Sequence, residues 1–129
     1  RSMQQFRNLQ VVIALLRDGF HPDSPGGTVQ LHDDGTPVRD YPLTPLLWDG
    51  MRRAFVTMAE IQFAAGAKTV SPAHGAGVAF TSFTQAKAAI ATFDLAPIVT
   101  RVVSAHVMGG APLGPGPATG ARPGERRAR

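Results

Sequence analysis

The chain has 129 residues, 43% of them apolar and 17% charged, a balance that fits one small globular domain and excludes a wholly disordered polypeptide. It contains no cysteine, which excludes a disulfide framework, a thiol nucleophile and any zinc or iron–sulfur site built on Cys. The net charge is +4, but residues 1–110 hold nine Lys/Arg against eight Asp/Glu, and the rest of the excess comes from Arg122, Arg126, Arg127 and Arg129 against Glu125. The basic character therefore belongs to the last segment, and nucleic acid is not an expected partner of the folded part.

From the N-terminus, polar residues Gln5, Asn8 and Gln10 lead into the apolar run 11–16, Val-Val-Ile-Ala-Leu-Leu. This run is β-branched at its start and is closed by Asp18-Gly19, so a buried strand over 10–17 is expected, with a helix as the alternative that periodicity leaves open. Six apolar residues fall short of the roughly 20 needed to cross a bilayer. They are also too few for a signal-peptide core, and Arg17-Asp18-Gly19 replace the small residues of a cleavage site. A soluble, cytoplasmic chain without a membrane partner is expected.

Residues 20–27 read as a loop from their Pro and Gly content. Alternation in Thr28-Val29-Gln30-Leu31-His32, turn residues Asp33-Asp34-Gly35 and alternation again in Val38-Arg39-Asp40-Tyr41 predict a β-hairpin over 28–42, with Val38 joining Val29 and Leu31 on one face. Thr44-Pro45 is a helix start, with a capping hydroxyl followed by a proline whose missing N–H costs nothing there. Leu47, Met51, Ala54, Phe55, Met58, Ile61 and Ala65 recur at helical spacing, and Gly66 suits the position after the last turn, so an amphipathic helix is predicted over 44–65. A short strand is expected within 67–70, then a Gly/Ala/Pro loop to Gly77. Ser82-Phe83-Thr84-Gln85 fits a capping box, and Phe83, Ala86, Ala89, Ile90 and Phe93 form one apolar face of a second helix, 82–93. Beyond Pro97, the β-branched residues 99–107 predict a further strand. Residues 111–129, with four Pro, four Gly and Leu113 as the one large aliphatic, are expected to be a disordered tail. The fold class is therefore α+β: an antiparallel sheet with a β-hairpin and two packed amphipathic helices over 1–110, plus the tail 111–129.

The sequence carries no G-x-G-x-x-G and no P-loop lysine. His21 with Asp23 and His32 with Asp33 would make a metal site only if their loops met, and they are read as surface loop and turn residues, as is His74; no metal is expected. Arg52 and Arg53 are read as a solvated helix face. His106 stands apart, because it ends an apolar strand directly before Met108-Gly109-Gly110, where glycines let backbone approach a ligand and an imidazole can act as acid or base near neutral pH. A structural histidine is the alternative.

Three stretches, GTVQLHDDGTPVRDYPLT, LLWDGMRRAFVTMAEIQFAAGA and RVVSAHVMGG, together resemble the C-terminal part of the glucose–methanol–choline (GMC) family of FAD-dependent oxidoreductases. The likeness runs in order over about residues 3–114. It implies a portion of the substrate domain, with its antiparallel sheet and helices, of an enzyme in which FAD takes a hydride from an alcohol carbon while a histidine removes the hydroxyl proton. By position His106 resembles that base. The sequence departs from the family's Cys-x-Met-Gly at Ala111-Pro112-Leu113-Gly114, and neither the glycine-rich FAD fingerprint nor the last catalytic segment is present. A truncated family member is implied, not expected to bind FAD tightly and inactive alone, with a small-molecule alcohol as substrate of the complete enzyme. The identity of the alcohol, the electron acceptor and the oligomeric state stay open. The other reading is a non-catalytic α+β binding module or gene remnant.

Overall fold

The structure, a computed structural model, describes residues 3–18, 21–24 and 26–104. His106, the end of the expected strand 99–107 and the segment 111–129 lie outside the described residues. Within them the chain forms a short 3-10 helix, Met3–Asn8, strands β1 (Thr28–Leu31) and β2 (Pro37–Asp40), and helices α1 (Pro45–Ala64) and α2 (Phe83–Ala91), an α+β arrangement.

Residues 10–17 do not form the expected strand. Val11, Ile13 and Leu15 are 78, 76 and 74% exposed, and these residues exchange no hydrogen bond with the described backbone. A β-branched run favours extended backbone, but a strand exists only where another backbone completes its ladder. Val12 is half-buried, and Leu16 packs against the bare backbone of Gly50 on α1, its methyls 3.8 Å from where a Cβ would stand.

The hairpin forms where alternation and turn chemistry place it. Its antiparallel register pairs Thr28 with Asp40, Val29 with Arg39, Gln30 with Val38 and Leu31 with Pro37. Directly opposed residues share a face, so Val38 lies with Gln30, on the side away from Val29 and Leu31. The five-residue connection explains the difference, because it sets the register one residue away from the one that would align the three apolar side chains. The turn is closed by Gly35 N–H to the His32 carbonyl at 2.8 Å and His32 N–H to the Thr36 carbonyl at 2.9 Å. Gly35 takes φ +82°, which glycine adopts without penalty. Asp34 accepts from the Thr36 N–H at 2.8 Å, and that bond to the charged form holds its carboxyl below the ordinary range.

Helix α1 begins as its sequence dictates. Thr44 is the cap in extended conformation, its Oγ1 accepting from the Leu47 N–H at 3.4 Å, with Pro45 in the first turn. At the other end Gly66 N–H bonds the Phe63 carbonyl at 3.0 Å and Ala67 N–H bonds the Gln62 carbonyl at 2.9 Å, the paired bonds of a Schellman motif, with Gly66 at φ +91°. The apolar stripe is buried at Met51, Phe55 and Ala59, whereas Ile61 is 54% exposed, so the packed face follows the i, i+4 row more closely than the expected one.

Helix α2 starts at Ser82, whose Oγ accepts from the Gln85 N–H at 3.3 Å. Phe55 and Ala59 of α1 and Ala86 and Ile90 of α2, with Val70 and Phe93, form the core, and Phe80, Phe83, Ala89 and Leu95 pack around it. The two small alanines, one on each helix, leave room for Phe55, Ile90 and Phe93. Complete burial of Ile90 contributes on the order of 1.5–3 kcal/mol.

Two further expected strands are reduced to bridges. Val70 exchanges both backbone hydrogen bonds with Phe80, at 2.9 and 2.8 Å, and the ladder goes no further. Thr100 bridges His74, while residues 101–104 form no regular element. Pro97 and the turn behind it account for this: Thr100 N–H closes on the Ala96 carbonyl at 2.9 Å, and Ile98 is thrown to φ +73°, a costly conformation for a β-branched residue. No helix among the described residues is long and apolar enough to cross a membrane; α1, though 20 residues long, carries Asp49, Arg52, Arg53 and Glu60.

Candidate functional site

The stretch that leads toward His106 is anchored by the loop 70–80. Gly75 N–H bonds the Val99 carbonyl at 2.6 Å and Arg101 N–H bonds the Ala73 carbonyl at 3.2 Å, on either side of the His74–Thr100 bridge. The Thr100 side chain is 2% exposed, and its Oγ1 has no hydrogen-bond partner among the described residues. The buried Thr100 is followed by four exposed residues, 101–104.

His74, read from the sequence as a loop histidine, organises this region. Its ring stacks on Phe93 with centroids 4.2 Å apart and planes 10° from parallel. Nε2 lies 2.9 Å from the Asp94 carbonyl and Nδ1 accepts from the Ala76 N–H at 3.2 Å. Those two bonds define a neutral imidazole protonated on Nε2. Nε2 ties the loop to the chain just beyond α2 and Nδ1 closes the loop on itself, so the arrangement positions backbone and leaves no nitrogen to take a substrate proton.

Arg52 departs from the solvated face expected of it. Its guanidinium reaches from α1 to carbonyls at and just beyond the C-terminal end of α2: Nη1 to Ile90 at 2.5 Å and Ala91 at 2.9 Å, Nη2 to Phe93 at 3.0 Å. Arg53, its neighbour, matches expectation: it is exposed and pairs with Asp49 one turn back at 3.0 Å. The signal for Arg52 was present in the sequence, since it lies four residues after Trp48 and four before Val56, both half-buried at the edge of the apolar stripe. No such spacing announces His74, whose partners are about twenty residues away.

A second polar centre ties the N-terminal half together. Asp18 accepts from the Ser24 hydroxyl and from the Tyr41 hydroxyl, joining the end of the 21–24 turn to the residue that follows the hairpin. The bond to Asp18, with some desolvation and the carboxylate's charge, pushes the Tyr41 hydroxyl above its ordinary value. Beside it a hollow of about 250 Å³ is lined by Leu16, Arg17, Asp18, Leu46, Leu47, Gly50 and Arg53. That is below the roughly 300–1,000 Å³ of pockets that enclose cofactor-sized ligands.

His21 and His32 stay where loop chemistry puts them. His21 Nδ1 accepts from the Asp23 N–H at 3.2 Å within its own exposed turn, and His32 closes the hairpin. No group of three or more His, Asp or Glu among the described residues is arranged to hold a metal. No family model, no curated protein and no solved structure matches the chain.

Proposed function

We propose that the chain is a substrate-domain segment of a GMC-type FAD-dependent oxidoreductase acting on the CH–OH group of an alcohol, with His106 as the base of the complete enzyme. The observation that supports this reading is the hairpin Thr28–Leu31/Pro37–Asp40 running within four residues into the 20-residue helix Pro45–Ala64, the order and spacing that the sequence resemblance implies. The described residues do not fit a flavin dinucleotide. A pyrophosphate takes a glycine turn at a helix N-terminus, whereas the N-terminal amides of α1 and α2 are already capped by Thr44 and Ser82. The chemistry proposed for this chain is therefore proton transfer alone: a neutral His106 imidazole accepts the hydroxyl proton of the alcohol, a role for which its affinity near neutral pH suits it.

The test is a chimera that restores the flavin-binding part and the final catalytic segment, compared with its His106→Ala variant. Flavin should remain bound while its reduction by alcohol slows at least about a hundredfold, the lower end for loss of a general base. An undiminished rate would remove His106 from the reaction. A chimera that folds but neither retains flavin nor oxidises alcohol would favour the non-catalytic α+β binding module instead.

A further inference from the structure

The chain has three Asp-Gly pairs, at 18–19, 34–35 and 49–50. At such a pair the glycine nitrogen can attack the preceding carboxyl carbon, because no Cβ crowds the approach or restrains the backbone rotation it needs. Asp23, Asp33, Asp40 and Asp94 are each followed by a residue with a side chain and react more slowly on that account. The fold treats the three Asp-Gly pairs differently.

Asp49 and Gly50 lie within α1, next to the buried Met51, and the Asp49 carboxylate pairs with Arg53 at 3.0 Å. Closing a ring there means opening the helix that supplies much of the core. Asp18 holds its carboxylate between the Ser24 and Tyr41 hydroxyls, one on each oxygen, and both bonds must break first. Asp34 is exposed at the tip of a hairpin whose strand residues are all exposed as well. A two-stranded hairpin of that kind opens at little cost. The bond from the Thr36 N–H to Asp34 Oδ1, 2.8 Å long, folds the carboxyl back across the Gly35 peptide, whose nitrogen is the one that attacks. The same bond favours the ionised carboxyl, and the Gly35 N–H is held by the His32 carbonyl at 2.8 Å, so the reaction is a slow ageing of the folded chain.

We infer that Asp34 is the site at which the folded chain converts aspartate to isoaspartate. The Gly35 nitrogen bonds to Cγ of Asp34; the protonated carboxyl loses its OH and the amide its proton, together one water, and a five-membered imide remains. A second water opens the imide. Opening at Cγ restores aspartate, whereas opening at the main-chain carbonyl leaves Gly35 joined to Cγ and a free carboxylate on Cα. No oxidant or cofactor takes part, and the mass is unchanged. The main chain then runs through Cβ and Cγ of residue 34, one atom longer within the turn that His32 closes through Gly35 and Thr36.

The experiment is prolonged incubation of the full chain at mildly acidic pH and physiological temperature, folded and in guanidinium chloride. Proteolysis and electron-transfer fragmentation then locate isoaspartate residue by residue. In the folded chain it should accumulate at 34 at least about tenfold faster than at 18 or 49, the ratio set by how readily each pair opens. In denaturant the three rates should converge to within about threefold. Asp34→Glu, whose closure needs a six-membered ring, should remove the signal from the turn and leave the other two pairs unchanged. Isoaspartate at 18 or 49 that keeps pace with 34 in the folded chain overturns the inference. So does a ranking that persists in denaturant, which would put its cause in local sequence and not in the fold. A turn signal that survives Asp34→Glu belongs to Asp33 and equally refutes the assignment. A folded chain that yields none at 34 while the denatured chain converts there shows that the turn protects this residue, the opposite of what is inferred.

Discussion

Replacing Arg52 by methionine keeps an unbranched side chain on α1 and removes the guanidinium that caps α2. Three carbonyls lose a charged donor, but not equally. The Ile90 carbonyl retains the Phe93 N–H at 3.3 Å, and the Ala91 contact is exposed, so water replaces it. Counting about 1 kcal/mol for each of the two partly buried bonds and about 0.5 kcal/mol for a cation at a helix C-terminus gives a loss of about 2–3 kcal/mol. For a domain of this size that lowers Tm by roughly 10–20 °C. Arg52→Lys keeps the charge but not the fork, and should recover less than half of the loss. Arg53→Met removes an exposed i, i+4 pair and should cost no more than about 0.5 kcal/mol. Urea unfolding followed by far-ultraviolet circular dichroism measures all three, compared at unchanged denaturant slope. If Arg52→Met lies within about 0.5 kcal/mol of the parent, or matches Arg53→Met, the contacts to α2 contribute nothing net and the argument fails.

Gly66→Ala should destabilise by about 1–2 kcal/mol in the same assay, because a Cβ there meets no atom and the whole cost lies in the positive φ. Thr100→Val should leave stability unchanged or raise it by up to about 1 kcal/mol, since it removes a buried hydroxyl that has no partner; a loss above that would locate a bond to Oγ1. Tyr41 is the one tyrosine of the chain, so its ionisation is read directly from the tyrosinate absorbance. Its folded-state pKa is raised, so the Asp18 bond stabilises the fold fully below the ordinary tyrosine value of about 10 and is lost as pH rises through the folded value; Asp18→Asn should move the titration down toward the ordinary value.

The parts of the fold legible in the sequence are those decided by local chemistry. Thr44-Pro45, Ser82 and Gly66 each fix a helix end through a hydroxyl, a ring or a positive φ supplied within a few residues, and Asp33-Asp34-Gly35 fixes the hairpin turn in the same way. What failed was decided at long range. Residues 10–17 have strand composition, yet no described backbone lies alongside to complete them. Residues 67–70 contribute one bridge, Val70 to Phe80, and 99–104 contribute only Thr100, which bridges His74 and Pro97 where Pro97 and the strained turn at Ile98 fold the chain back. The register of the hairpin, which parts Val38 from Val29 and Leu31, depended on turn length, a quantity that alternation alone does not determine. Helical spacing places Arg52 at the edge of the apolar stripe, but which carbonyls it and His74 meet, at and beyond the end of α2, is carried by groups that every residue has and that no residue type reveals.

Apolar burial is concentrated in one part of the described chain. Every residue of the core cluster lies between Phe55 and Phe93, and α1, α2, Val70 and Phe93, just beyond α2, supply all of it. Ahead of α1, Val11, Ile13, Leu15, Val29 and Leu31 are 70–78% exposed, while Asp18 bonds Ser24 and Tyr41 and Leu16 rests on Gly50. Side chains exposed in this way gain from being covered, and the function proposed above puts the rest of an oxidoreductase there to cover them. In the chimera that restores the rest of the enzyme, amide exchange in residues 11–15 should therefore be slower than in the isolated chain; equal rates in the two would mean that the restored parts leave this segment uncovered.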